Sequence, residues 1–226
     1  MKDVPVIFSA PMVQALLREI EAPGTGKTMT RRLAWGEPFN IYNDEDGEQA
    51  AQLRAKGCKV SGPDDMGTRI AWPPSPWQTV KPGDRLWVRE TTSAEHRWTG
   101  TKPSLITDSD VWYWADGNPD DGDWTKPIVS IHMPRRFSRL TMIVTATKIE
   151  RLIAISEADA LAEGVERRGD TDYWAGLNRG TDAVACFSAL WRSLHGMGSW
   201  DKNPEVVAIS GRVIKANVDM PEARAA

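Results

Sequence analysis

The run GTGKTMTRR (24–32) concentrates the most reactive side chains of the sequence. It offers an amine at Lys27, hydroxyls at Thr28 and Thr30, and guanidinium groups at Arg31 and Arg32. GTGKT imitates the end of a phosphate-binding P-loop, G-x-x-x-x-G-K-[ST]. That pattern needs glycine at position 21, where this chain has Glu21. The setting also fails. A P-loop joins a strand to a helix whose N-terminal amides hold the phosphates, whereas here a helical pattern precedes the motif and Gly36 and Pro38 follow it closely. Nucleoside triphosphates are therefore not expected. Taken alone, Lys27 reads as a solvated turn lysine and Thr30 as a turn cap. Arg31 and Arg32 read either as surface charge or as phosphate contacts, since arginine forks suit phosphate oxygens.

Further candidates lie downstream. In KPGDRLWVRETT (81–92) the alternation puts Leu86 and Val88 on one face and Arg85, Trp87 and Arg89 on the other, with Glu90 at the strand end. Arg135, Arg136 and Arg139 follow SIHMP and read as a solvated face or a nucleic-acid track. The chain has 11 Trp against 4 Phe and 3 Tyr. That excess serves either to fill a core or to stack on bases. Three scattered histidines suggest no zinc site, and no cofactor is expected.

These residues need elements to hold them. Val4–Ser9, Asp84–Thr91, Leu140–Leu152 and Glu205–Ala216 carry β-branched or alternating apolar residues and are predicted to join one curved, mostly antiparallel sheet. VWYWA (111–115) is a further short strand. PMVQALLREI starts a helix at Pro11, and Pro23 and Gly24 end it. Ser156 and Asp159 resemble a capping box for a helix that stops at Gly164. Thr181–His195 carries a stripe of Val184, Phe187, Leu190, Trp191 and Leu194. Residues 36–80 and 93–126 read as irregular insertions, and 221–226 as a frayed tail. The fold class expected is α+β, one domain over residues 1–220.

Composition sets outer limits. The 226 residues are 41% hydrophobic and 26% charged, with net charge −3, pI about 5.7 and mean hydropathy −0.43. That balance argues against coating long duplex nucleic acid by bulk electrostatics and leaves room for a local basic site. No apolar run approaches the ~18 residues of a membrane span, and MKDVPVIFSAPM lacks a signal-peptide core. Cys58 and Cys186 form no CxxC pair. The expectation is a cytoplasmic protein.

Taken together, IFSAPMVQALL, KTMTRR, KPGDRLWVRET, SIHMPRRFSRLTM, ISEADALAEGV and NPEVVAI, in this order, resemble the ASCH family of the PUA-like superfamily, and more closely its phage and prophage members. The resemblance covers most of the chain and is weakest in 36–80 and 93–126. It implies a small curved β-barrel with flanking helices and a cleft that binds RNA or a modified pyrimidine nucleoside. One branch of the family consists of amidohydrolases that remove the acetyl group from N4-acetylcytidine. Their catalytic residues match Lys27, Thr30 and Glu163 here, and the arginine after their lysine–threonine pair matches Arg32. This chain is about twice as long as that branch. Amide hydrolysis needs a nucleophile, a base and a proton for the leaving nitrogen. Threonine can be the nucleophile, and lysine the base once burial or nearby cations lower its pKa. A glutamate can position water or protonate the leaving group.

Three functions follow: a nucleoside- or RNA-binding module, an amidohydrolase acting on an acylated cytidine, or a phage structural or morphogenetic protein without a small-molecule site. The sequence predicts ligand contacts from Arg31, Arg32, Trp87, Arg89, Glu90, Arg135 and Arg136. It further predicts that Lys27, Thr30 and Glu163 share one cleft, and that Lys27→Ala removes turnover without disturbing the fold.

Overall fold

The computed structural model describes residues 1–107, 109–120 and 122–224. Its main sheet has five strands: β1 (Asp3–Ile7), β2 (Met29–Leu33), β3 (Arg85–Arg89), β4 (Thr141–Arg151) and β5 (Glu205–Ile214). They lie in the order β1-β3-β4-β5-β2. β1 runs parallel to β3, and the other three pairings are antiparallel. All four predicted long strands are present in this one sheet; each stops short of its predicted C-terminal end, while β1 begins one residue earlier than predicted and β5 begins where predicted. No backbone pairing joins β1 to β2 among the described residues, so the hydrogen-bonded ladder is open.

The core follows from the alternation. Val6, Leu86, Val88, Met142, Val144, Val206 and Ile209 are buried with helix α1 (Ala10–Glu21), which inserts Met12, Val13, Ala15 and Leu16. Full burial of such side chains stabilises the fold by about 1.5–3 kcal/mol each. β5 bends at a bulge between Ser210 and Gly211. Only glycine fits there: a Cβ on Gly211 would lie 2.7 Å from the Ile143 carbonyl oxygen.

Helix α3 (Glu157–Ala162) begins where predicted, with the Ser156 hydroxyl accepting from the Asp159 amide. The capping box is only half made, because the Asp159 carboxylate turns away to Arg31 and Lys148. Helix α4 (Ala183–His195) starts two residues later than expected. The Asp182 carboxylate accepts from the Ala185 amide and leaves Thr181 outside. Phe187, Leu190 and Trp191 are buried as the stripe requires, and Leu194 is exposed.

Four expectations are corrected. Residues 36–80 are not irregular: Phe39–Ile41, Arg69–Trp72 and Lys59–Val60 form a separate three-stranded sheet beside helix α2 (Glu48–Ala55). The buried Asp44 carboxylate holds this unit by accepting from the Gln49 and Ala50 amides and pairing with Arg69. Residues 93–126 contribute Thr92–Ala94, which pairs with Val111–Tyr113 over a small core of Ala94, Ile106, Met133 and Phe137. VWYWA is a strand only as far as Tyr113; Trp114–Asp116 is a 3-10 turn. Part of the expected tail is also ordered: α5 (Pro221–Arg224) buries Ala223, whose carbonyl accepts from Arg85. Residues 225–226 lie outside the described residues. No helix among the described residues is long and apolar enough to cross a membrane.

Candidate functional site

Close packing fixes Lys27 first. A Cβ on Gly26 would lie 2.3 Å from both the Ala15 carbonyl oxygen and the Glu19 amide nitrogen, so only glycine lets the chain lie this close to α1. The Lys27 amide donates to Ala15 at 2.9 Å, and the Thr28 amide to Ala162, the last residue of α3, at 2.8 Å. Gly164 then turns the chain at φ +101°, where a Cβ would meet Ala15 and Lys27.

This packing presses Lys27 against Glu163. The ammonium donates to the Glu163 carbonyl at 2.6 Å and to Oε2 at 2.8 Å, with the side chains 2% and 4% exposed. Glu163 is the C-cap of α3, so the cation also meets the negative end of the helix dipole. β2 carries Thr30 and Arg31, both buried. The Arg31 guanidinium reaches Glu163 at 3.2 Å, Glu150 on β4 at 2.7 Å and Asp159 at 2.7 Å. Burial pulls its pKa down, but the three carboxylates outweigh that, and it stands above the ordinary arginine value. Lys27 goes the other way. Burial lowers it, Glu163 opposes, and Arg32 and Arg31 add to the lowering. An amine below its usual 10.5 is the condition for a lysine base.

Lys27, Thr30, Arg31, Arg32 and Glu163 line one cavity of about 40 Å³ with Phe8, Met12, Leu190, Trp191 and His195. That is room for about three water-sized groups at ~10–15 Å³ each. Two buried donors among the lining residues, Arg31 Nε and Trp191 Nε1, have no partner among the described residues. Phe8, Met12, Arg32, Leu194 and His195 also line an adjoining groove of about 530 Å³, whose further walls include Trp77, Arg89, Thr91 and Ser130. Arg32 lies between the Phe8 and Trp77 rings, its carbon 5.3 and 5.5 Å from their centroids, and donates to the Ile7 carbonyl.

The structure thus places Lys27, Thr30, Glu163, Arg31 and Arg32 on one cavity, with Arg32 shared between it and the outer groove. Arg89 lies on the outer groove. The other candidates are elsewhere. Trp87 is buried in β3 beneath the Arg89 guanidinium. Glu90 is buried and holds Arg139, which also grips Asp116. Arg135 bridges Asp3 and Asp219, and Arg136 donates to the carbonyls of Pro103 and Ser104. These four do not reach the cavity. The expectation that Lys27→Ala leaves the fold intact also falls: Lys27 is buried and ion-paired, so truncation strands part of a buried carboxylate.

Sequence reading missed the apolar wall and His195. Phe8 sat in a strand-like run and the α4 stripe read as core, although His195, directly after Leu194, breaks that apolar run. His195 stacks on Trp191 at 4.2 Å, and burial and Arg32 hold its pKa below the usual histidine value. Glu150 and Asp159 gave no signal, being ordinary surface types. The glycine loop does cradle an anion, its own: the Glu19 carboxylate accepts from the Gly24 and Gly26 amides at 3.0 and 2.9 Å. No cluster of three or more potential metal ligands occurs among the described residues. No family model, no curated protein and no solved structure matches this chain.

Proposed function

We propose that the chain is an ASCH-like protein that binds a modified pyrimidine nucleoside, free or in RNA, and hydrolyses an N4-acylated cytidine. In this reading the five-stranded sheet is a PUA-like barrel left open between β1 and β2. The observation that carries it is the convergence of Lys27, Thr30 and Glu163 on one cavity, with Lys27 Nζ 2.8 Å from Glu163. The small inner cavity suits an acyl group, and the aromatic groove outside it suits a base and sugar.

The neutral Lys27 amine takes the Thr30 proton, and the threonine oxygen bonds to the acyl carbon. Arg31 Nε and Trp191 Nε1, both unpaired, suit the oxyanion that develops. The bond from acyl carbon to N4 then breaks. The proton on Lys27 passes to the departing nitrogen, with Glu163 orienting the ammonium. Water next adds to the acyl-threonine, giving up a proton through Lys27 and Glu163, and releases the acid and the free hydroxyl.

The test is release of acetate from N4-acetylcytidine by wild type, Lys27→Met, Thr30→Val and Glu163→Gln. Each variant is expected to lose at least ~10²-fold in kcat. The wild-type rate should climb with pH as Lys27 deprotonates, with a midpoint below 10.5. Equal, trace turnover in all four proteins, with nucleoside still bound, would remove the hydrolase and leave a binding module.

A further inference from the structure

The outer groove differs in charge from four other concavities of the molecule. Those lined by Arg18 and Arg167, by Lys59 and Arg151, by Lys27 and Arg31, and by Arg212 and Lys215 each include a glutamate: Glu19 and Glu166, Glu37 and Glu205, Glu163, and Glu19 respectively. The outer groove carries Arg32 and Arg89 and, among the described residues, no carboxylate. In a chain with 31 acidic against 28 basic residues, a groove with two cations and no anion is a local inversion of the overall charge.

Neither arginine has a carboxylate within ion-pair distance among the described residues. Arg32 is held by the Ile7 carbonyl and two aromatic faces, and Arg89 by the Ile131 carbonyl and the Trp87 face. Arg89 Nε is buried with no hydrogen-bond partner among the described residues. Burial also lowers the Arg89 pKa, as expected of a guanidinium held partly out of water without a counter-charge. The other polar groups of the groove are the hydroxyls of Ser9, Thr91 and Ser130, the Trp77 indole and the His195 imidazole, whose pKa burial and Arg32 hold below the usual histidine value. Two guanidinium forks with free capacity beside hydroxyls make a receptor for a tetrahedral oxyanion.

We infer that the outer groove is a phosphate subsite, and that the preferred ligand is a pyrimidine nucleoside 5′-monophosphate rather than the bare nucleoside. The placement of the base rests on the function proposed above; the phosphate subsite rests on the groove alone. A volume of about 530 Å³ falls in the range of about 300–1,000 Å³ typical of small-ligand pockets, which favours one nucleotide over a strand.

Calorimetric titration with cytidine, cytidine 5′-monophosphate and the dinucleotide CpC, at fixed salt, tests this. In wild type the monophosphate should bind at least about tenfold more tightly than cytidine, the gain expected of charge-assisted hydrogen bonds. Arg89→Gln should bring that ratio to within about twofold of one, since the cation supplies the preference. Arg136→Gln, which removes an exposed arginine outside the groove, should leave the ratio intact. Equal wild-type affinities, a ratio that survives Arg89→Gln, or a gain shown by CpC alone would each overturn the mononucleotide subsite. The two readings fail separately. An Arg89-dependent preference without deacylation keeps the groove and loses the hydrolase, whereas deacylation without any phosphate preference does the reverse.

Discussion

Arg139 and Arg31 each anchor a buried arginine–carboxylate cluster, and the two are finished differently. In one, Arg139 meets Glu90 through Nε and one terminal nitrogen at 2.9 and 3.0 Å, and Asp116 through both terminal nitrogens at 2.6 and 2.8 Å. The Tyr113 ring covers it at 3.9 Å. None of the concavities described above includes any of these residues. In the other, Arg31 touches three separate carboxylates, leaves Nε without a partner, and shares its wall with Lys27 and Thr30. The Arg139 cluster closes on itself and ties residues 90–139 together. The Arg31 cluster leaves donors over and aims them at a cavity. Buried charge alone therefore does not mark a candidate site; what sets the Arg31 cluster apart is spare bonding capacity beside a cavity.

The largest effect comes from truncating either arginine. Arg31→Ala strips one partner from three carboxylates and Arg139→Ala strips one from two, so each should lower stability by about 3–5 kcal/mol, Arg31→Ala by more. Thermal melting should show this as a fall of roughly 6–20 °C at ~2–4 °C per kcal/mol for a chain of this size. A loss under about 1 kcal/mol for Arg139→Ala would mean that the closed cluster does not hold the fold, and the contrast would collapse.

A smaller effect separates the clusters by sign. Burial raises the Glu90 carboxyl above 4.5, with Arg139 only partly opposing. A carboxyl raised in the fold gives stability that is full below its unfolded value and fades as pH rises through its folded value. Asp159 is lowered from 3.8: burial would raise it, but its bonds to Lys148 and Arg31 outweigh that. Its contribution is present above 3.8 and fades as pH falls through its folded value. Denaturation across pH 3–7 should accordingly show Glu90→Gln flattening the decline above pH 4.5, and Asp159→Asn flattening the acid loss below pH 3.8. The same sign for both variants would erase the distinction.

That contrast also marks what the sequence could carry. β1, β3, β4 and β5 were legible because alternation and β-branched residues state a half-buried strand locally. β2 was not. MTRRL looks solvated, and Arg31 enters the core only because Glu150, Asp159 and Glu163 meet it from 119, 128 and 132 residues away. The extra sheet in 36–80 was hidden for a related reason: its strands are two to four residues long and depend on the Asp44–Arg69 pair. Lys27, Thr30 and Glu163 were singled out through the ordered phrases around them, not through spacing. Their aromatic wall stayed unread, since a Phe187–Trp191 stripe looks the same facing a core or a cavity.

The finest test lies in the aromatic cover of each cation. Tyr113 does two things for the closed cluster: its ring faces Arg139, and its hydroxyl donates to the Phe137 carbonyl at 2.9 Å. Burial pushes that hydroxyl up to a pKa of about 12, so it remains a donor through the neutral range. Tyr113→Phe keeps the ring and drops the bond, and should cost about 0.5–1.5 kcal/mol in chemical denaturation. Tyr113→Leu removes the ring as well, adding about 0.5–2 kcal/mol for the lost cation–π contact. Phe8, the corresponding cover at 5.4 Å from Lys27 and 5.3 Å from Arg32, has no hydroxyl to lose. Phe8→Leu loses the ring and its contacts to Lys27 and Arg32, should cost about 0.5–2 kcal/mol, and should weaken nucleoside binding because Phe8 lines both cavity and groove. If Tyr113→Leu instead weakened ligand binding as much as Phe8→Leu, the closed cluster would belong to the site after all.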